Sequence, residues 1–369
     1  MYPFIHDQLL KLNHMKAKFY LTLLIAIIAL SACKKDHKPI TISKPKHDTA
    51  VYIVGFDAFN TLDSTIACYW KNGVITKLAT MNSYAFAVAA KDSNIYIVGY
   101  TSIFPSAPDN AAYWKNGKIN YLPNGSIGSR ACAITLSGND VYIAGDLEKN
   151  AVSGQAAYWK NGVLTTLTDT ATRSYTTGIA VSGNDVYVSG KLFSPTGNST
   201  PVYWKNGVMT KLDNESAFAN ATAVAVNGND VYIAYYTATS GDLIGYYWKN
   251  GSVTQLVNSR QPPIITTDIT INNNDVYITG FVSVVPPGRS IATYWKNNVP
   301  QLLFITGDSD GYNSHIANQV IVFQNNIYTV GYYTLPPTGI TNAYYWKNGT
   351  PIKLSNDYSY ANGAVGVAY

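Results

Sequence analysis

Residues 131–167 read ACAITLSGNDVYIAGDLEKNAVSGQAAYWKNGVLTTL. Four short runs rich in β-branched and aromatic residues divide this stretch: Ala131 to Leu136, Val141 to Gly145, Ala156 to Lys160 and Val163 to Leu167. Ser137-Gly138-Asn139-Asp140 joins the first pair as a tight turn. Asn161-Gly162 joins the last pair as a two-residue hairpin that needs positive φ at both positions. The spacing therefore predicts one antiparallel unit of four strands.

The same unit recurs along the chain. Tyr-Trp-Lys-Asn begins at Tyr69, Tyr113, Tyr158, Tyr203, Tyr247, Tyr294 and Tyr345, and uses all seven tryptophans of the protein. Gly follows in every copy but one, where Asn298 stands and still tolerates the turn conformation. A second motif, best seen as Asn139-Asp140-Val141-Tyr142-Ile143-Ala144-Gly145, places its tyrosine at 52, 96, 142, 187, 232, 277 and 328, alternating with the first. A four-stranded repeat of about 45 residues is the signature of a β-propeller, in which each sheet is buried on both faces by its neighbours.

The chain ends refine that expectation. Residues 51–78 hold strands two, three and four of a unit without the first, whereas residues 362–369 are a first strand with nothing after it. Joined, they complete one unit. The expected fold is all-β: a seven-bladed β-propeller of four-stranded antiparallel blades over residues 51–369, its ring closed by the C-terminal strand pairing with the N-terminal blade.

The first fifty residues are different material. Met15-Lys-Ala-Lys18 is a positive n-region and reads as the true start; Phe19 to Leu30 is an apolar run too short for a membrane span, which wants roughly 20 residues. Leu30-Ser31-Ala32-Cys33 closes it and resembles the lipobox of bacterial lipoproteins. That resemblance implies a signal peptide over 1–32, lipidation of Cys33, and an exported protein anchored to the cell envelope. Residues 33–50 are polar and read as a flexible tether. The Cys33-Lys34-Lys35-Asp36 start resembles lipoproteins of the Bacteroidetes type, which suggests an outer-membrane address.

Trp159-Lys160-Asn161-Gly162, Leu167 and Ile179 resemble the HAF-type extracellular repeat. The likeness implies export and propeller-like structure, and carries no enzyme residues.

Residues present in every repeat are explained first by folding: the tryptophans and tyrosines fill the space between blades. The lysines of Tyr-Trp-Lys-Asn lie across from Asp140, Asp185, Asp230 and Asp275 on the neighbouring strand, which neutralises most of a basic ring. With a formal charge of +5, partly in the tether, this is no nucleic-acid footprint. Cys68 and Cys132 sit in different repeats on apolar strands and read as unpaired apolar fillers.

Function is expected on the opposite face, where loops differ from blade to blade on a rigid scaffold. Tyr84, Arg130, Arg173, Tyr175, Phe218, Arg260, Tyr312, Tyr358 and Tyr360 fall near the blade junctions, and their aromatic planes and guanidinium forks suit sugar rings or a protein partner. Asp308, Asp310 and Asn313 place oxygen ligands around Gly311, the arrangement of a Ca²⁺ loop without an EF-hand's bidentate Glu; calcium is the one candidate cofactor. His315 is the only histidine after the tether, which leaves little for metal hydrolysis or a Ser-His-Asp triad.

The sequence thus predicts a monomeric, non-enzymatic envelope lipoprotein that binds a glycan or a protein partner through its variable-loop face. Two alternatives stand beside it. One is a polysaccharide lyase or glycosidase using Asp308 or Asp310 with Glu215, and the other is a structural subunit of an envelope complex.

Overall fold

The computed structural model describes residues 49–58, 65–79, 82–102, 108–124, 128–150, 153–213, 218–239, 242–257, 263–284, 289–305, 314–335 and 339–369. They belong to one compact unit, Asp48–Tyr369. Every regular element among them is a strand.

In chain order the strands begin with β1 (Thr49–Ala58), β2 (Thr65–Lys71) and β3 (Val74–Lys77). Next come β4 (Ser83–Lys91), β5 (Asn94–Thr101), β6 (Asn110–Lys115) and β7 (Lys118–Tyr121), which form one antiparallel sheet in that order. A second such sheet holds β8 (Gly128–Ser137), β9 (Asp140–Asn150), β10 (Ser153–Lys160) and β11 (Val163–Thr166). An eight-stranded sheet combines two sets of four. The first is β12 (Ser174–Ser182), β13 (Asp185–Phe193), β14 (Ser199–Lys205) and β15 (Val208–Lys211). The other is β16 (Phe218–Asn227), β17 (Asp230–Thr239), β18 (Asp242–Lys249) and β19 (Ser252–Gln255). A single parallel pairing, Ser199 with Phe218, joins them.

Two further four-stranded sheets follow: β20 (Ile264–Asn272), β21 (Asp275–Val284), β22 (Arg289–Lys296) and β23 (Val299–Leu302), then β24 (Ser314–Phe323), β25 (Asn326–Leu335), β26 (Ile340–Lys347) and β27 (Thr350–Lys353). The last strand, β28 (Tyr358–Ala368), pairs antiparallel with β1 along its length, from Thr49 with Ala368 to Ala58 with Tyr358. The sheet order β28-β1-β2-β3 is therefore assembled from both ends of the described chain.

Local chemistry explains the repeat. Each tight hairpin between strands three and four turns at Asn-Gly with both residues left-handed, as at Asn161 (φ 51) and Gly162 (φ 81); Asn297 and Asn298 adopt the same pair at 49 and 66. The Asn161 side chain then accepts from the Val141 N–H at 2.9 Å and donates to Asp140 at 2.7 Å, tying the hairpin to the neighbouring strand. Buried serines join one set to the next: Ser83, Ser129, Ser174 and Ser359 each accept, at 2.9–3.0 Å, a strand-three N–H of the preceding set.

The core lies between sheets. Trp70, Trp114, Trp159, Trp204, Trp295 and Trp346 are fully buried, while Trp248 is only half-buried, a departure from the uniform role the repeat predicts. One position on strand two differs. Gly145 and Gly190 leave room there for the indole, and a Cβ at either would lie 2.8 or 2.9 Å from Trp159 or Trp204. In β17 the equivalent residue is Tyr235, whose ring stacks on Tyr246 at 5.2 Å, and Trp248 lies against Tyr203 at 5.2 Å.

Two other readings are refined. Strands run further toward the variable loops than the sequence parse allowed, since β9 and β10 continue their ladder out to Asn150 and Ser153. Cys68 and Cys132 are both free, but only Cys68 is buried. Cys132 is half-buried on an inner strand. The four lysine–aspartate pairs form as expected, Lys160–Asp140 at 3.0 Å and Lys205–Asp185, Lys249–Asp230 and Lys296–Asp275 at 2.8 Å.

Candidate functional site

The first strand of each set packs against the first strand of the next, and β28 packs against both β4 and β24. These strands surround a cavity of about 420 Å³. Each carries one β-bulge, and the extra residue lines the cavity: Phe86, Cys132, Thr177, Thr222, Thr267, Asn318 and Asn362. A bulge leaves a backbone carbonyl without its ladder partner, and the preceding set's polar bulge residue meets that need. Thr177 donates to the Ala221 carbonyl at 2.8 Å, Thr267 to Ala317 at 2.6 Å, Asn318 to Ala361 at 2.9 Å and Asn362 to Ala85 at 2.9 Å.

Sequence reasoning missed this girdle because its residues share a place and not a type. A positional signal existed: from Phe86 to Asn318 each lies ten residues before the second-strand tyrosine, as Cys132 does before Tyr142.

Two residues before each bulge is a rim position at the variable-loop end of the cavity. Tyr84, Arg130, Tyr175 and Tyr360 all occupy it, so four expected residues prove to be register equivalents. Their strand-two partners across the sheet are Tyr100, Asp146, Lys191 and Phe56. Four of these rings form one arc: Tyr360 stacks on Phe56 (4.8 Å), Phe56 meets Tyr84 edge-on (5.0 Å), and Tyr84 stacks on Tyr100 (4.8 Å). Tyr332 and Tyr358 extend it beside Tyr360 at 4.5 and 5.5 Å, and the Tyr358 and Tyr360 hydroxyls are 2.9 Å apart.

Arg130 closes the arc. Its guanidinium lies 4.9 Å from the Tyr100 ring centre and is ion-paired to Asp109 (2.5 Å) and Glu148 (3.1 Å). Burial raises the Tyr100 hydroxyl above its ordinary range, and it also raises the Glu148 carboxyl despite Arg130. The remaining described candidates sit apart. Arg173 and Tyr175 gather around Phe193, and Phe218 is exposed 6.2 Å from Tyr236. Cys33, Glu215, Arg260, Asp308, Asp310, Tyr312 and Asn313 lie outside the described residues.

Two inner carboxyls escaped the sequence reading. Asp146 is buried, accepts from the Thr176 N–H at 2.7 Å and from its hydroxyl at 3.2 Å, and is pushed up to about 7 by burial. Asp268 lines the cavity and accepts from the Val320 N–H at 3.3 Å; burial pushes it to about 7 as well. The Cys132 thiol is pushed up by burial to about 12 and stays protonated at neutral pH. Chemically, the rim offers aromatic faces with one neutralised guanidinium, and the cavity offers hydroxyls, amides and one carboxyl.

No protein-family model matches the sequence, and no curated protein matches it. Among solved structures, the chain is similar to the β-propeller domain of the trilobed protease from Pyrococcus furiosus, with 10% identity, 84% of this chain and 92% of that chain covered, and a TM-score of 0.50. It is similar to a puromycin-hydrolyzing peptidase of Mycobacterium tuberculosis, with 12% identity, 82% of this chain but 53% of that one covered, and a TM-score of 0.51. TolB from Acinetobacter baumannii is 9% identical over 85% of this chain and 82% of that one, with a TM-score of 0.47. At such identities the likeness speaks to fold alone, and the fold is a β-propeller.

Proposed function

We propose that this chain is a closed seven-bladed propeller, exported and anchored to the envelope through Cys33, that binds a glycan or a protein partner through the variable-loop rim without catalysing a reaction. The observation that carries the reading is the arc from Tyr358 and Tyr360 through Phe56, Tyr84 and Tyr100 to Arg130. Aromatic faces held in contact with one another lose little conformational freedom on binding, which favours recognition. Support for closure comes from the pairing of β28 with β1 and from the Asn362 side chain donating to Ala85 in the adjoining sheet.

Glycan-array and pull-down measurements on the protein and on its Tyr84→Ala and Tyr360→Ala variants test the binding reading. A ligand captured by the protein and released by both variants is the expected result. A ligand indifferent to both, or none in either assay, overturns it.

A further inference from the structure

Arg130 and Arg173 both border the rim, yet they meet different surroundings. Two carboxylates neutralise Arg130. Arg173 is an exposed residue with no ion pair among the described residues; its guanidinium lies 4.3 Å from the ring centre of Phe193 and 5.7 Å from that of Tyr175. Contact with a ring occupies a guanidinium's face and leaves its edge N–H donors for a planar anion.

A second cation stands beside it. Lys191 is the cross-strand partner of Tyr175, has its ammonium 5.4 Å from the Phe193 ring centre, and forms no ion pair among the described residues. Burial and the Arg173 charge lower its pKa, against the opposing pull of Asp146. Asp146 is itself buried and engaged by Thr176, and it forms no ion pair with either cation among the described residues. Two neighbouring cations without an ion pair are unfavourable alone and relieved by an anion.

The flanking groups narrow the anion's class. Tyr175 holds a rim position equivalent to Tyr84 and Tyr360, and its ring packs on Gly154, where a Cβ would come within 2.5 Å of it. Directly after Phe193, the β13–β14 turn presents Ser194 and Thr196, whose hydroxyls are 2.7 Å apart. A half-exposed aromatic ring, neighbouring hydroxyls and a cation pair match a pyranose bearing a carboxylate.

We propose that this part of the rim binds the uronic acid residues of an acidic polysaccharide, the carboxylate on Arg173 and Lys191 and the sugar ring against Tyr175. The inference rests on the rim-binding reading above and names a ligand class for it.

The test presents the full chain with polygalacturonate, with its carboxyl-reduced neutral counterpart and with poly-L-glutamate, and compares Arg173→Gln, Lys191→Gln, Tyr84→Ala and Tyr360→Ala. Melting curves confirm that each variant is folded. The expected result is polygalacturonate binding that weakens by ~10-fold or more in Arg173→Gln and in Lys191→Gln, the loss expected for one charge-assisted contact, and equally on carboxyl reduction. Equal binding of the neutral polymer, unchanged by Arg173→Gln and Lys191→Gln but weakened by Tyr84→Ala and Tyr360→Ala, overturns the uronate inference and leaves the rim reading in place. Poly-L-glutamate binding as tightly and failing in the same variants overturns it in favour of an acidic protein. If no polymer binds, the uronate inference falls alone, and the pull-down decides the rim.

Discussion

Trp159 and Trp248 hold the same place in the repeat but not the same environment, and their substitution separates repeat identity from burial. Trp159→Ala empties a fully buried site and is expected to cost ~3–5 kcal/mol in a urea titration; Trp248→Ala, beside Tyr235 and half-buried, is expected to cost clearly less. Equal losses would mean that burial does not set the cost. Asp146 makes a second prediction at this scale. Its folded pKa of about 7 lies above the unfolded value, so the folded state binds the extra proton. Its contribution is fully present below about pH 4 and is lost as pH rises through about 7. Asp146→Asn keeps an acceptor for Thr176 without the charge, and should match the parent near pH 4 and exceed it in stability at pH 8. A variant less stable than the parent at pH 8 would contradict the assignment. The repeated tryptophans, the Asn-Gly turns and the lysine–aspartate pairs were legible in the sequence because they recur, the tryptophan in all seven copies, Asn-Gly in six and the aspartate in four. Asp146 and Asp268 were not, because each stands at a position whose residue type changes from copy to copy and whose burial depends on the neighbouring sheet.

Among the elements, the inner strands carry the information that patterning hides. Their bulges shift the register by one residue, so a strict alternation read along β12 would send Thr177 to the wrong face. Thr177→Val removes the donor to the Ala221 carbonyl while keeping shape, and is expected to cost ~1 kcal/mol by denaturant titration, whereas Thr196→Val on the exposed turn should cost nothing measurable. Gly145 sits opposite the corresponding bulge of β8: a Cβ there would lie 2.1 Å from the Arg130 carbonyl. Gly145→Ala should therefore destabilise strongly, since backbone must move, as read by the same titration. A neutral Gly145→Ala would show that the bulge relaxes freely. The rim residues Tyr84, Arg130, Tyr175 and Tyr360 were found from sequence as aromatics and arginines near junctions. Their equivalence, and their partners Phe56, Tyr100 and Lys191, required the strand register.

For the whole molecule, residues 362–369 read as a first strand in need of partners, and β28 pairs with β1, the first described strand. The sequence left open what the cavity contains, since it is lined by short runs from strands far apart in the chain. In a closed ring β28 supports three things at once: the ladder to β1, the contact with β4 through Asn362, and the contact with β24. Native-state amide hydrogen exchange resolved by residue measures this directly. Closure predicts that the β28 amides paired to β1 exchange as slowly as those of β4 and β8, and lose protection together with them in one cooperative opening. Rapid exchange of β28 while β4 and β8 stay protected would contradict the closed ring.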